Sequence, residues 1–559
     1  MLIAALRWMT GLSVLATAGV LIALPAVGLC LGMPREPVVP PIARRPAPQH
    51  EGNRLVTANG YRESVGQIQH IHLSGSAAEL GAAQGALVPD LVAGLEGDLV
   101  GTFIERVPFF AARHLILGLV GVNNRTLVDH LTIPEQTEIL AEVRSADPRL
   151  DPWRALGEPW QRALHYHALH DVSQYLIDNP LVRPIQVGCS AFAVEDRHTH
   201  DGHLIVGRLF DFEGGPRFDL DKVVFTVAPS DGLRFVHIAW GGMTGGVTGF
   251  NEAGLWVSIN AADTAGMRFC GRPIVMVVRE ILQHCRTIDE AVAVLARSDV
   301  FVSDGVLLAS RPEHRAVVVE KGPTGQAVRA MEDGALRSTN HFLDPHWAGD
   351  AANNRRIARG TTNVRYARLG ELLAAAPVDP ARAVTILRDH RGAGDREVGF
   401  NNRSTINAWI GAHLAVCDLD RGIMWVSEPR HGLGMMRAFT LDGPLPAEDL
   451  PADPELERCQ RDLPRWLAVR DELRGLLAKH KPTDPVPSTV APLLAELHAL
   501  NPNSFETHWL AGLASTDPGE RTRYLRAALA LQPAYPEDAE AISAALGGTP
   551  GAGSSDHRD

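Results

Sequence analysis

Two short apolar runs, Ser190 to Glu195 and Leu204 to Phe210, stand on either side of Asp201-Gly202. Asp-Gly between runs of this kind is a β-hairpin turn signal. A hairpin returns the end of its second strand beside the start of its first, so the pattern places Arg208 and Asp211 near Cys189. Further runs rich in Val, Ile and Phe follow to about residue 440: Lys222 to Val227, Phe235 to Trp240, Leu255 to Asn260, Ala316 to Glu320 and Leu414 to Asp418. Helical patterns interrupt them at Ile274 to Arg286, Ile288 to Ala296 and Val364 to Ala375. Strands in pairs with helices grouped between them imply an α+β layered body.

The remainder divides by composition. A chain of 559 residues is long enough for three or so units. Residues 1–33 hold the uncharged run Trp8 to Met33, which is long for the 7–15 residues of a signal-peptide core and suits a retained transmembrane anchor, with a cleaved signal as the rival. Residues 34–60 are Pro-rich and read as an extended linker. Residues 61–188 read as mostly helical, with Glu79 to Val100, Pro134 to Val143 and Arg162 to Ile177 as its helices. Within it Phe109 to Val122 is unusually apolar, as a core helix or a membrane contact. A body over 189–445 is followed by helical residues 450–546, where Leu500-Asn501-Pro502 and Leu531-Gln532-Pro533 recur in the manner of tetratricopeptide (TPR) repeats. The tail 547–559 reads as disordered. The formal charge of −12, with no long basic run, argues against nucleic acid as a partner. The anchor makes the membrane a partner, and the C-terminal helices are open to a protein partner.

Of the six cysteines, Cys189 has the informative surroundings; Cys270, Cys285, Cys417 and Cys459 show no motif spacing. A positive charge near a thiol favours the thiolate, so Arg208 suits Cys189 as a nucleophile. Were Cys189 an N-terminal residue, its own α-amine would serve as the base, with Asp211 holding that amine. Gly188 before it suits self-cleavage, having no Cβ and a wide choice of backbone conformation. The competing reading is a small buried structural cysteine. A metal reading of His198, His200, Asp201 and His203 is set aside, because these residues fall at the tip of the hairpin.

Val187-Gly188-Cys189-Ser190 followed by Gly207-Arg208-x-x-Asp211 resembles the N-terminal-nucleophile (Ntn) hydrolases of the acyl-CoA:6-aminopenicillanic acid acyltransferase family, peptidase family C45, related to the choloylglycine hydrolases. Three more segments match in order: Gly75 to Gly85 as G-x-x-x-E-x-G-x-x-x-G, Gly249 to Leu255 with Asn260 after it, and Thr339-Asn340-His341. The resemblance implies an αββα sandwich and autocatalytic cleavage between Gly188 and Cys189. It makes Cys189 the nucleophile, places Arg208 and Asp211 at the thiol and amine, and makes Asn260 an oxyanion donor. Asn340 would be a second polar residue of the pocket and Arg365 a distal active-site residue. Asn260 and Asn340 also read as turn residues, and Arg365 as a charge on a helix surface.

The function expected is a membrane-anchored or exported amidohydrolase/acyltransferase that cleaves a non-peptide C–N amide through an acyl-enzyme, with no metal or organic cofactor. The substrate is a small amide or acyl compound, lipid-like if the anchor and the apolar run at Phe109 are a guide. The alternatives are acyl transfer from coenzyme A, and a retired Ntn body supporting a partner-binding helical domain.

Overall fold

The computed structural model describes residues 36–42, 47–107, 124–153, 157–176, 187–266, 270–479 and 487–547, with 109, 113, 116, 121 and 268 between them. Two sheets are built from these residues. The larger has eleven strands, in the order Gln49–Glu51, Arg54–Thr57, Gly60–Val65, Ile68–Gly75, Lys222–Pro229, Phe235–Trp240, Thr248–Asn251, Leu255–Ala262, Ser303–Ser310, Arg315–Gly322 and Gly325–Ala330. The smaller has seven, in the order Ala335–Ser338, Val187–Asp196, Gly202–Phe212, Gly411–Asp418, Ile423–Ser427, Met436–Thr440 and Gly443–Pro444.

Alternation along the strands explains the layers, since successive side chains point to opposite faces. Ala191, Ala193, Leu204 and Val206 of the smaller sheet share one core with Val224, Val236, Trp256 and Leu307 of the larger. Phe192, Val194, Ile205 and Leu209 point the other way, into a core with Leu369, Leu373, Val384 and Leu387 of the helices Thr362–Ala374 and Pro380–Leu387. The outer face of the larger sheet is covered by Ala77–Leu87, Pro89–Arg106, Ile133–Ser145 and Ile274–His284. Helices therefore flank two stacked sheets, a mixed α/β body.

The Gly75 to Gly85 motif has a packing explanation. Ser76 and Glu79 form a capping box at the start of Ala77–Leu87. A Cβ on Gly81 would lie 1.9 Å from the carbonyl oxygen of Glu138, and one on Gly85 1.9 Å from that of Glu142. Glycine at both positions lets this helix lie directly against Ile133–Ser145.

Three expectations need correction. The stretch 61–188 opens with strand rather than helix, because Gly60–Val65 and Ile68–Gly75 pair across the turn at Gly66. Residues 34–60 are not all linker, since Gln49–Glu51 and Arg54–Thr57 already belong to the larger sheet. The helix expected over Glu79 to Val100 is two, broken where Pro89 opens the second. Among the described residues no helix is long and apolar enough to cross a membrane. The anchor expected within residues 1–33, most of Phe109 to Val122 and the tail beyond Gly547 lie outside the described residues.

The C-terminal region is helical, as expected, with helices from Leu456–Lys479 to Pro536–Gly547. It shares a core with the body: Phe400, Trp409 and Leu433 pack with Trp466, Leu473 and Leu497. The Asn501 amide also spans the backbone of Phe400, accepting its N–H and donating to its carbonyl.

Candidate active site

Gly188 and Cys189 lie in the strand Val187–Asp196, opposite Asp211 and Phe210 of Gly202–Phe212, and Ala191 faces Arg208. The hairpin thus brings Cys189, Arg208 and Asp211 together, in the register expected. Alternation then separates their faces. Cys189 and Arg208 share the face of Ala191 and Val206, which looks between the sheets. Gly188 and Asp211 look toward the helical layer that carries Arg365. A Cβ on Gly188 would lie 2.9 Å from Asp211 Oδ2 and 3.8 Å from the Arg365 guanidinium carbon. Glycine here permits a close approach of side chains; Gly188 is not among the residues of positive φ, so the freedom of backbone expected at this position is not what the uncut chain uses.

On its other edge this strand pairs with Ala335–Ser338 only from Ala191 to Val194. Beyond Ser338 two side chains replace the ladder. The Cys189 N–H donates to Asn340 Oδ1 at 2.8 Å. The Cys189 carbonyl accepts from Arg365 Nη1 at 2.5 Å, and Arg365 Nη2 donates to the same Asn340 Oδ1 at 2.6 Å. Asn340 is held in turn, its Nδ2 donating to Ala261 O at 2.8 Å and its N–H to Thr362 Oγ1 at 2.8 Å. Arg365 is only 2% exposed, so it is a member of the site and not a helix-surface charge. It also donates to Ser190 Oγ at 3.1 Å.

Arg208 is fully buried, without a hydrogen-bonded carboxylate among the described residues. Its guanidinium donates to Thr248 Oγ1 and Ile259 O, meets His413 Nε2 at 3.2 Å and stacks over the Phe210 ring at 4.4 Å. Its Nε has no partner among the described residues. A buried charge of this kind gains most from a nearby anion. Burial lowers the pKa of Arg208 to about 10, and Cys189, Asp304 and Asp211 are the groups nearby whose negative charge would pull it back up.

The thiol itself departs from expectation. Burial pushes its pKa up, and the pull of Arg208 and Arg365 and a hydrogen bond with the Asp211 backbone do not offset that. At 1% exposure, Cys189 in the uncut chain is a thiol. Burial likewise raises Asp211 to about 7 against the downward pull of Arg365 and Arg403, and its Oδ1 has no partner among the described residues. Asn260 is buried with Nδ2 turned to Ser338 O and Oγ at 3.3 and 3.2 Å, while its Oδ1 is unpartnered among the described residues. In this state the Asn260 amide nitrogen is engaged with Ser338 and does not stand free as an oxyanion donor.

Sequence reasoning missed Arg403, which donates to Glu213 at 2.7 Å and whose charge acts on Asp211. It also missed Thr248 and His413, which fix Arg208, and Tyr535, which carries the C-terminal helices into the range of Arg365 and Arg403. No motif marks them; the alternation of the strand Gly411–Asp418 was the signal open for His413. His341 faces Thr339 and Thr362 through Nδ1. At the hairpin tip His198 bonds to Asp333 O and His203 to Asp418, while Asp201, His203 and Asp418 bring their ligand atoms within 4.8 Å of one another.

Residues 198–409 match the model of the acyl-coenzyme A:6-aminopenicillanic acid acyl-transferase family. The stretch contains Arg208, Asp211, Asn260, Asn340 and Arg365 and begins after Cys189. The resemblance expected from the motifs is borne out over these residues, which are similar to that acyl-transferase family. Protein dcd1B of Dictyostelium discoideum is 24% identical over 262 residues, 42% of this chain and 47% of that one, so the match spans about half of that relative. Among solved structures, an N-acylethanolamine-hydrolyzing acid amidase ortholog of Caenorhabditis elegans is 17% identical, with TM-score 0.30 over 41% of this chain and 93% of its own. A mutant of the conjugated bile acid hydrolase of Clostridium perfringens is 14% identical, with TM-score 0.33 over 46% and 94%. The penicillin V acylase of Agrobacterium tumefaciens is 14% identical, with TM-score 0.30 over 46% and 92%.

Proposed function

We propose that this chain is a self-cleaving cysteine-nucleophile Ntn amidohydrolase, with the layers αββα, that splits a non-peptide C–N amide through an acyl-enzyme at Cys189. One observation carries the reading: the N–H and carbonyl of Cys189 are held by the side chains of Asn340 and Arg365 where a strand would otherwise hold them. Its nitrogen can become an amine without unzipping a ladder.

Activation begins with attack of the Cys189 sulfur on the carbonyl carbon of Gly188. A C–S bond forms, the Gly188–Cys189 C–N bond breaks, and the nitrogen keeps the thiol proton as an amine. Water then hydrolyses the thioester, leaving a Gly188 carboxylate and a free thiol. Asp211 and Asn340 suit the new ammonium, which in turn draws Asp211 into its ionised form. In turnover the amine takes the thiol proton and the thiolate, facing Arg208, attacks the substrate carbonyl. The leaving amine takes a proton as it departs, and water or a second amine releases the acyl group. Asn260 serves the oxyanion once its amide nitrogen leaves Ser338.

The substrate class is a small amide with an apolar acyl part. Export of the body, expected from the apolar amino end, belongs to the same proposal and favours water over coenzyme A as the partner of the acyl group. Transfer from coenzyme A, named in the description of the matched family, is the second reading. Incubation with a thiol-reactive acyl chloromethyl ketone tests the nucleophile: label on the piece beginning at Cys189, absent from Cys189→Ala, supports it, and equal labelling of both proteins rejects it.

A further inference from the structure

A cavity of about 130 Å³ lies among the helices Ala77–Leu87, Pro89–Arg106, Ile133–Ser145 and Pro159–His167 and the turn at Gly241-Gly242. Most of its wall is apolar, with Val88, Val92, Leu95 and Val143 among the lining. An apolar cavity of about 150 Å³ takes up benzene, so the size suits a body of about six carbons. Gly242, at φ +87°, helps keep the space open: a Cβ there would come within 3.0 Å of Val92.

One part of the wall is unsatisfied. Glu142 is 4% exposed, its Oε1 has a single long contact from Gln84 Nε2 at 3.4 Å, and its Oε2 has no partner among the described residues. The Tyr166 hydroxyl on the same cavity is also unpartnered among them. A buried polar atom with no partner is costly, and a donor brought by a ligand relieves that cost. The sign of the ligand follows from the surrounding charges. The lining carboxyls are Glu96, Glu142, Asp147 and Asp151; Asp147 is paired with Arg149 at 2.7 Å, and Arg162, the one basic residue among the described lining, is shared between Glu96 and Asp151 at 2.8 and 2.7 Å. The excess is negative and favours a cation.

We propose that this cavity is a second binding site, separate from Cys189, for a primary amine on a compact apolar body. Its ammonium meets Glu142 Oε2 and the Tyr166 hydroxyl, and its hydrocarbon lies among Val88, Val92 and Leu95. No lining residue belongs to the group around Cys189, so the site stands whether or not that cysteine is a nucleophile. Burial and the neighbouring Glu138 raise Glu142 to about 8. At pH 7 the empty site is therefore mostly protonated, and an arriving ammonium displaces that proton.

Calorimetric titration of the full chain carrying Cys189→Ala with cyclohexylamine, cyclohexanol and cyclohexanecarboxylate at pH 7 tests this without turnover. The expected result is binding of the amine at least tenfold tighter than of the alcohol, no binding of the carboxylate, and release of close to one proton, read from two buffers of different ionisation enthalpy. Glu142→Gln is expected to reduce the amine to the affinity of the alcohol and to abolish proton release. Val92→Phe, which fills the cavity and leaves Glu142 in place, is expected to abolish binding of both. Equal affinity for amine and alcohol, no binding of either, or amine binding unchanged in both variants would overturn the proposal.

Discussion

The side-chain oxygen of Asn340 accepts the backbone N–H of Cys189 at 2.8 Å, just where the strand Ala335–Ser338 has ended. The same oxygen accepts from Arg365, which also holds the Cys189 carbonyl. Two side chains thus position Cys189: Asn340, from a loop, holds the N–H of the peptide proposed for cleavage, and Arg365, from a helix, holds the carbonyl of the peptide that follows.

Asn340→Ala leaves the Cys189 N–H and one Arg365 nitrogen unpaired in a buried place. The expected cost is about 1–3 kcal/mol for each unsatisfied group, together with a slower appearance of cleaved chain. Asn340→Asp keeps an acceptor and is expected to cleave faster than Asn340→Ala. A time course on denaturing gels, with melting curves alongside, reads both effects.

Arg208 has no hydrogen-bonded carboxylate among the described residues, so its charge is free to act on the thiolate. In cleaved protein, Arg208→Met is expected to move the pH midpoint of iodoacetamide reaction at Cys189 upward by about 1–2 units. An unchanged midpoint would mean that the guanidinium is not the counter-charge.

Asp211 is raised by burial to about 7 from an ordinary value of 3.8. Between these values the unfolded chain releases a proton that the folded, uncut chain keeps, so this group's contribution to stability falls as pH rises from about 4 to 7. In the Cys189→Ala background, Asp211→Asn is expected to gain stability relative to its parent across that window and to show no further gain above it. Urea unfolding at pH 4, 5.5, 7 and 8 measures the difference and cancels the titration of other buried groups.

Cleavage between 188 and 189 would leave the two pieces joined by the parallel pairing of Ile68–Gly75 with Lys222–Pro229. Arg279 adds a buried pair of bonds to Glu138, both at 3.2 Å. Both pieces are therefore expected to co-elute on gel filtration and to separate only in denaturant. Glu138→Gln, which strands the buried Arg279 charge, is expected to cost about 3–5 kcal/mol.

The approach of Gly81 and Gly85 to the backbone of Ile133–Ser145 leaves no room for a methyl group. Gly85→Ala is expected to destabilise the chain by at least about 1–3 kcal/mol, read as a lower Tm. Gly475→Ala, where a Cβ meets nothing within 4 Å, serves as the control.

The hairpin was legible because its evidence is local. An Asp-Gly turn and two apolar runs settle which residues face Cys189, and the register agrees. Arg365 was read only loosely, since its place on Thr362–Ala374 says nothing of which face is covered. The sign of the shift at Cys189 was missed for a related reason: the pull of a neighbouring arginine follows from the hairpin, whereas burial depends on every layer packed above it. The strands Gly60–Val65 and Ile68–Gly75 escaped notice because polar residues alternate with Ile and Leu on a sheet whose partner, Lys222–Pro229, lies far along the chain.

The central claim is tested most directly by a denaturing gel of the purified full-length chain beside Cys189→Ala, with N-terminal sequencing of the heavier piece. The account predicts two pieces from the wild-type protein, of 188 and 559 − 188 = 371 residues, the heavier beginning at Cys189, and one uncut chain from the variant. A single uncut band in both proteins would contradict it.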